Sequence, residues 1–147
     1  MNKAKLEISA LTENVSLARV IAAAFASPFD PTVEEVTEIK TAVSEAVTNA
    51  IIHGYDSEND VLVQSSQTVE ISLLEHNREI TIIVTDKGKG IENIESAREP
   101  LFTTKPEMER SGLGFTVMEE FMTSIEVTSR PGEGTSIKLV KKLAEVR

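Results

Sequence analysis

Asp86-Lys-Gly88-Lys-Gly90 follows the alternating run Ile80, Ile82, Val84 and puts a carboxylate at the end of an expected strand. Such a carboxylate can accept a hydrogen bond from a ligand's amino group, and the two glycines let backbone approach a flat ring without a Cβ in the way. A simple turn after a strand has the same composition. Ser111-Gly112-Leu113-Gly114 precedes a helical pattern that begins at Phe115. Glycines at a helix N-terminus present backbone N–H groups and a positive dipole end, which suits phosphate; a glycine-rich hinge is the plainer reading. Lys105 and Arg110 stand in the loop just before it. Gly132-Glu133-Gly134-Thr135 opens the last strand, and G-x-G-T also makes an ordinary hairpin turn.

A fourth pair sits in SEAVTNAIIHGY, residues 44–55. Between Thr41 and Ile52 the only charged residue is Glu45 and the only amide is Asn49. On a helix the two share a facet roughly 110° from the stripe of Val36, Ile39, Val43, Val47 and Ala50. Their neighbours Ala42 and Ile52 are not solvated residues. The facet is therefore expected to lie under a lid, a ligand or both, the alternative being a solvated Glu beside a surface Asn.

The elements that must position these residues can be read in order. Residues 3–9 alternate, with Ala4, Leu6 and Ile8 on one side, and predict a half-buried strand. Residues 12–27 predict a helix with Leu17, Val20, Ile21, Ala24 and Phe25 on its apolar face. Pro28 and Pro31 break the chain, and Thr32 with Glu35 form a capping box for a helix reaching about His53, where Gly54 supplies a stop. Residues 56–66 predict a polar loop. VEISLLEH (69–76) and REITIIVTD (78–86) predict an antiparallel hairpin turning at or near Asn77. A short helix near 93–98, a loop rich in Pro, Gly and Thr, a helix over 113–123 and two closing strands joined by RPGEG complete the chain. The order predicts one α+β domain, a mixed, mainly antiparallel sheet with helices on one face. Arg19 falls opposite Leu17, Val20 and Ile21, among Ser16, Ala22, Ala23 and Ala26. That facet suits a protein interface or an ordinary exposed position.

Composition narrows the classes. The 147 residues suit a single domain. With 24 acidic against 15 basic residues the net charge is −9, a poor match for nucleic acid or anionic lipid. There is no cysteine, so thiolate metal sites and disulfides are excluded. His53 and His76 fall in separate elements and suggest no zinc cluster. The start lacks a secretory apolar core, and the most apolar run, Val15–Phe29, is short for a membrane span and contains Arg19. A cytoplasmic protein is expected.

E-x-x-x-N, D-x-G-x-G, G-x-G and G-x-G-T in that order resemble the GHKL ATPase/kinase superfamily, which includes DNA gyrase, histidine kinases and MutL. The resemblance runs from about residue 32 to 140 and implies a Bergerat-type ATP-binding fold. TEIKTAVSEAVTNAIIHGY, EPLFTTKPEMERSGLGFTVME and LEISALTEN are more specifically similar to the sporulation anti-sigma F factors of bacilli, over essentially the whole chain. Those are serine kinases that bind a sigma factor and phosphorylate an anti-anti-sigma protein.

The resemblance implies roles. Asn49 would hold Mg²⁺ of bound ATP or ADP through its side-chain oxygen. Glu45 would be the general base, or orient the partner's attacking serine. Asp86 would bind the adenine amino group with Thr135 in support, and Gly88 and Gly90 would floor that pocket. Gly112 and Gly114 would donate N–H groups to phosphate, with Lys105 or Arg110 offsetting its charge. Residues 102–114 would form a lid, His53 would pack at the pocket edge, and Arg19 would meet the protein partners. A homodimer that binds sigma F, with no direct nucleic-acid or membrane contact, is expected. The other readings are a non-catalytic nucleotide-gated module and the catalytic domain of a histidine kinase.

Overall fold

The structure is a computed structural model that describes residues 1–52, 67–88 and 114–145. The elements expected at 56–66, 93–98 and 102–113 lie outside the described residues. Strand β1 (Asn2–Ser9) leads into α1 (Asn14–Ala26), a 3₁₀ turn (Ser27–Phe29) and α2 (Val33–Ile52). Then come β2 (Thr68–His76), β3 (Glu79–Asp86), α3 (Gly114–Phe121), β4 (Ser124–Arg130) and β5 (Gly134–Lys142). The five strands form one sheet in the order β1-β2-β3-β5-β4, every described neighbour antiparallel. The mixed component expected from sequence is thus absent among the described residues, because each strand runs back beside its spatial neighbour.

Period-two burial decides which face the helices cover. Val69, Ile71 and Leu73 of β2, Ile80, Ile82 and Val84 of β3, and Ile137 and Leu139 of β5 are buried on one side. Over them lies α2, packed against β2, β3 and β5 and flanked by α1 and α3. Its buried residues include Ile39, Ala42, Val43, Ala46, Val47 and Ala50. Two neighbouring helices therefore account for much of the apolar character around the Glu45/Asn49 facet.

Helix α1 is turned differently from its expected orientation. Leu17 and Val20 are 44% and 64% exposed, while Ala18, Ala22, Phe25 and Ala26 are buried. The Ala-rich facet is the one that faces inward. Small side chains on α1 and α2 let two helix backbones approach closely, a gain that a count of large apolar residues does not register.

Three local devices fix the frame. The Thr32 N–H donates to Glu35 Oε1 (2.8 Å) and the Glu35 N–H to Thr32 Oγ1 (3.0 Å), the expected capping box. Asn77 and Arg78 have φ of 50° and 63°, so the β2–β3 connection is a two-residue turn of type I′, and β3 begins at Glu79. From that turn the Arg78 guanidinium donates to the Ala144 carbonyl (3.0 and 2.6 Å) and to the Phe29 carbonyl (2.6 Å). Glu35 Oε2 accepts the Ala144 N–H (2.8 Å), so both peptide groups of that residue are held. Burial pushes the Glu35 carboxyl up, but the N–H groups of Thr32 and Ala144, the Thr32 hydroxyl and the Lys141 charge outweigh it and leave its pKa lowered.

Candidate functional site

Asp86 ends β3 and pairs in register with Thr135 of β5, and the two are only 5% and 8% exposed. Oδ1 of Asp86 accepts the Gly88 N–H at 2.9 Å. Burial pushes the Asp86 carboxyl up to about 6, against the pull of hydrogen bonds from the Gly88 and Thr135 backbones. Near neutral pH it is therefore a buried, acceptor-only group.

Gly134 brings the strands together at this corner. Its φ is +90°, and a Cβ there would fall on the Asp86 carbonyl oxygen and 2.8 Å from Lys87 Cα. Only glycine permits both the left-handed backbone and the close approach. Next to it, Ser129 of β4 pairs with Thr135. Ser129 Oγ lies 2.8 Å from Thr135 Oγ1 and donates to the Gly134 carbonyl at 3.1 Å. Sequence inspection did not single out Ser129. The signal was available: alternation along SIEVTSR puts Ile125, Val127 and Ser129 on one face, and the RPGEG turn sets the last of them opposite Thr135.

The direction of α2 places the other pair. Lys141 Nζ bonds Glu38 Oε1 (3.0 Å) near the start of α2, and Lys141 pairs with Ile80 at the start of β3. The helix and β3 thus begin at the same end of the molecule. From Glu38 to Asn49 the helix rises about 16 Å. From Ile80 to Asp86 the strand rises about 20 Å. Glu45 and Asn49, both half-buried, lie in the half of α2 that extends toward the Asp86 end of the sheet. Gly114 is buried at the first residue of α3, which packs on α2.

The described residues of the candidate site thus lie toward one end of the helix-covered face. Gly90, Lys105, Arg110, Gly112 and His53 lie outside the described residues. Arg19 is exposed on α1; of its expected neighbours Ala22 and Ala26 are buried, Ala23 is half-buried and Ser16 is exposed, as is the adjoining Val20. Among the described residues no group of three or more His, Cys, Asp or Glu could hold a metal ion. A cation at Asn49 would need ligands from phosphate and water as well, which is how Mg²⁺ is commonly held. Among them too, no helix is long and apolar enough to cross a membrane.

This arrangement can be set beside known proteins. Residues 8–141 match the model of the histidine kinase-like ATPase domain. The anti-sigma F factor of Anoxybacillus flavithermus is 54% identical over 144 residues, 98% of this chain and 94% of that protein. The anti-sigma F factor of Clostridium perfringens strain SM101 is 56% identical over 142 residues, 97% of each. The chain belongs to the anti-sigma F factor family. A crystal structure of the RsbU and RsbW domains of a Mycobacterium tuberculosis protein shares the fold, with a TM-score of 0.70 at 15% identity. It is matched over 99% of this chain and 34% of its own. This member of the anti-sigma F factor family thus carries a histidine kinase-like ATPase domain over residues 8–141, a span that includes Asp86 and Thr135.

Proposed function

We propose that this protein binds and inhibits a sporulation sigma factor, sigma F, and uses ATP to phosphorylate a serine of an anti-anti-sigma partner. The observation that carries the nucleotide half is the Asp86–Thr135 corner, a buried carboxylate that is acceptor-only near neutral pH, at the end of the sheet toward which the Glu45/Asn49 half of α2 extends. Such a corner suits the amino group of adenine. The sigma-factor half rests on full-length similarity to proteins named anti-sigma F factors.

In this reading Asp86 accepts from the adenine amino group, and Gly88 and Gly90 leave room for the ring. Asn49 offers its amide oxygen to Mg²⁺, which when bound neutralises phosphate charge. The N–H groups of Gly112 and Gly114, with Lys105 and Arg110, hold phosphate oxygens. Glu45 takes the proton of the attacking serine hydroxyl or orients it. The protein acts as a homodimer in the cytoplasm, with Arg19 at the partner surface.

Phosphate transfer from labelled ATP to a serine-bearing anti-anti-sigma protein tests this directly. Glu45→Ala is expected to keep nucleotide binding and lose transfer by about 10²- to 10⁴-fold, the usual contribution of a general base. Wild-type transfer by Glu45→Ala removes the residue from catalysis, and no transfer by the wild type favours a purely nucleotide-gated binding module.

A further inference from the structure

Ser129 stands outside every motif of the nucleotide site, yet its hydroxyl touches the two residues that build the Asp86 corner. It has one proton and donates it to the Gly134 carbonyl at 3.1 Å. The Ser129–Thr135 contact of 2.8 Å then has one consistent polarity, with Thr135 donating and Ser129 accepting. The single Thr135 proton is spent on β4, away from the pocket. What Thr135 Oγ1 has left to present beside Asp86 is lone pairs.

We propose that Ser129 is a specificity-determining residue: by fixing the direction of the Thr135 hydroxyl it makes the Asp86 corner uniformly hydrogen-bond accepting, so that the site selects a purine with a 6-amino group over one with a 6-oxo group. This rests on the nucleotide reading above and deepens it. An amino group offers protons that acceptors can take. A ring carbonyl at the same place sets lone pairs against lone pairs, and a buried mismatch of that kind is costly. Ser129 acts through Thr135 and is a positioning residue, since it lies one strand beyond the residue that would face the base.

The probe is the pair ATP and ITP, which differ at position 6 of the purine (amino against oxo) and in the N1 proton that follows from it. Calorimetry on the full chain measures the ratio of the two affinities in wild type, Ser129→Ala, Ser129→Thr, Thr135→Val and the double variant Ser129→Ala/Thr135→Val. In Ser129→Ala the Thr135 O–H is free to turn toward the base, and the preference for ATP over ITP is expected to fall about 2- to 10-fold, the worth of one redirected hydrogen bond. Ser129→Thr keeps the hydroxyl and should keep the preference. In the Thr135→Val background, Ser129→Ala should change the ratio no further. A ratio unchanged in Ser129→Ala, equal losses for both nucleotides, or an equal shift in the Thr135→Val background would overturn the proposal. Wild-type protein that binds neither nucleotide overturns the nucleotide reading itself, and wild-type protein that binds both equally sinks only the selectivity claim.

Discussion

Asp86 faces two opposed demands, because the burial that makes its carboxylate a strong acceptor also disfavours its charge. Its folded pKa is raised from 3.8 to about 6, so the folded chain holds this proton more tightly than the unfolded one. Stability from this group is therefore greatest below pH 3.8, falls as pH rises toward 6, and stays lowest above it, by on the order of 3 kcal/mol. Glu35 runs the other way: its lowered pKa gives stability that is present above its ordinary 4.5 and lost as pH falls through its folded value. Thermal melts from about pH 2.5 to 7 on wild type and Asp86→Asn separate the two, since the variant should lose the decline and keep the Glu35 rise at the acid end. The same substitution puts an amide N–H or a misplaced carbonyl at the corner, and ATP affinity should drop by about 1–3 kcal/mol. Identical ATP affinity in Asp86→Asn and Asp86→Ala relative to wild type would remove Asp86 from the adenine pocket.

At the element scale, α2 is fixed at its start by charge and along its length by packing. Lys141 Nζ joins Glu38 on α2 to the Phe121 carbonyl (2.6 Å) at the last residue of α3, and the side chains are 11% and 22% exposed. Lys141→Ala should therefore cost about 1–3 kcal/mol in denaturant melts, since it strands a nearly buried carboxylate and a helix-end carbonyl. Lys5→Ala should change stability little, because the Lys5–Glu70 pair is exposed and such pairs are worth about 0–1 kcal/mol. Equal losses in the two variants would refute this ranking. The capping box of α2 and the β2–β3 hairpin were legible in sequence because their signals are local: Thr and Glu three apart, and an Asn between two alternating runs. The outward face of α1 was not. Its inner facet is alanine, chosen by the closeness of α2, and that is a tertiary fact. The Ser129–Thr135 contact was hidden for a related reason, since it depends on the register between two strands.

For the whole molecule, α2 joins the two surfaces to which the proposed function assigns roles. One flank packs on α1, which carries exposed Arg19, Leu17 and Val20, and the helix itself carries Glu45 and Asn49. The proposed interface at Arg19 has a different setting from the expected one: Ala22 and Ala26 of the expected facet are buried, and the large aliphatic side chains exposed on α1 are Leu17 and Val20. In the proposed reading a partner on this exposed side of α1 would bury Val20 as well as meet the charge of Arg19. Arg19→Glu and Val20→Ser should each weaken sigma-factor and anti-anti-sigma binding while leaving ATP affinity at the wild-type value. Native mass spectrometry and a competition assay read both partners. Wild-type partner binding by the two variants together would place the interface elsewhere.

The tight corner at Gly134 has a consequence for inheritance. Every amino acid other than glycine carries a Cβ, so every missense change in that codon drives an atom into the Asp86 backbone, however conservative the replacement. Two codons earlier, Gly132 has a similar φ of +79° but nothing within 4 Å of where a Cβ would sit. Asparagine or aspartate, which tolerate a left-handed backbone, are acceptable there. A saturating mutant library selected for function should hence show an empty column at 134 beside a sparsely filled one at 132.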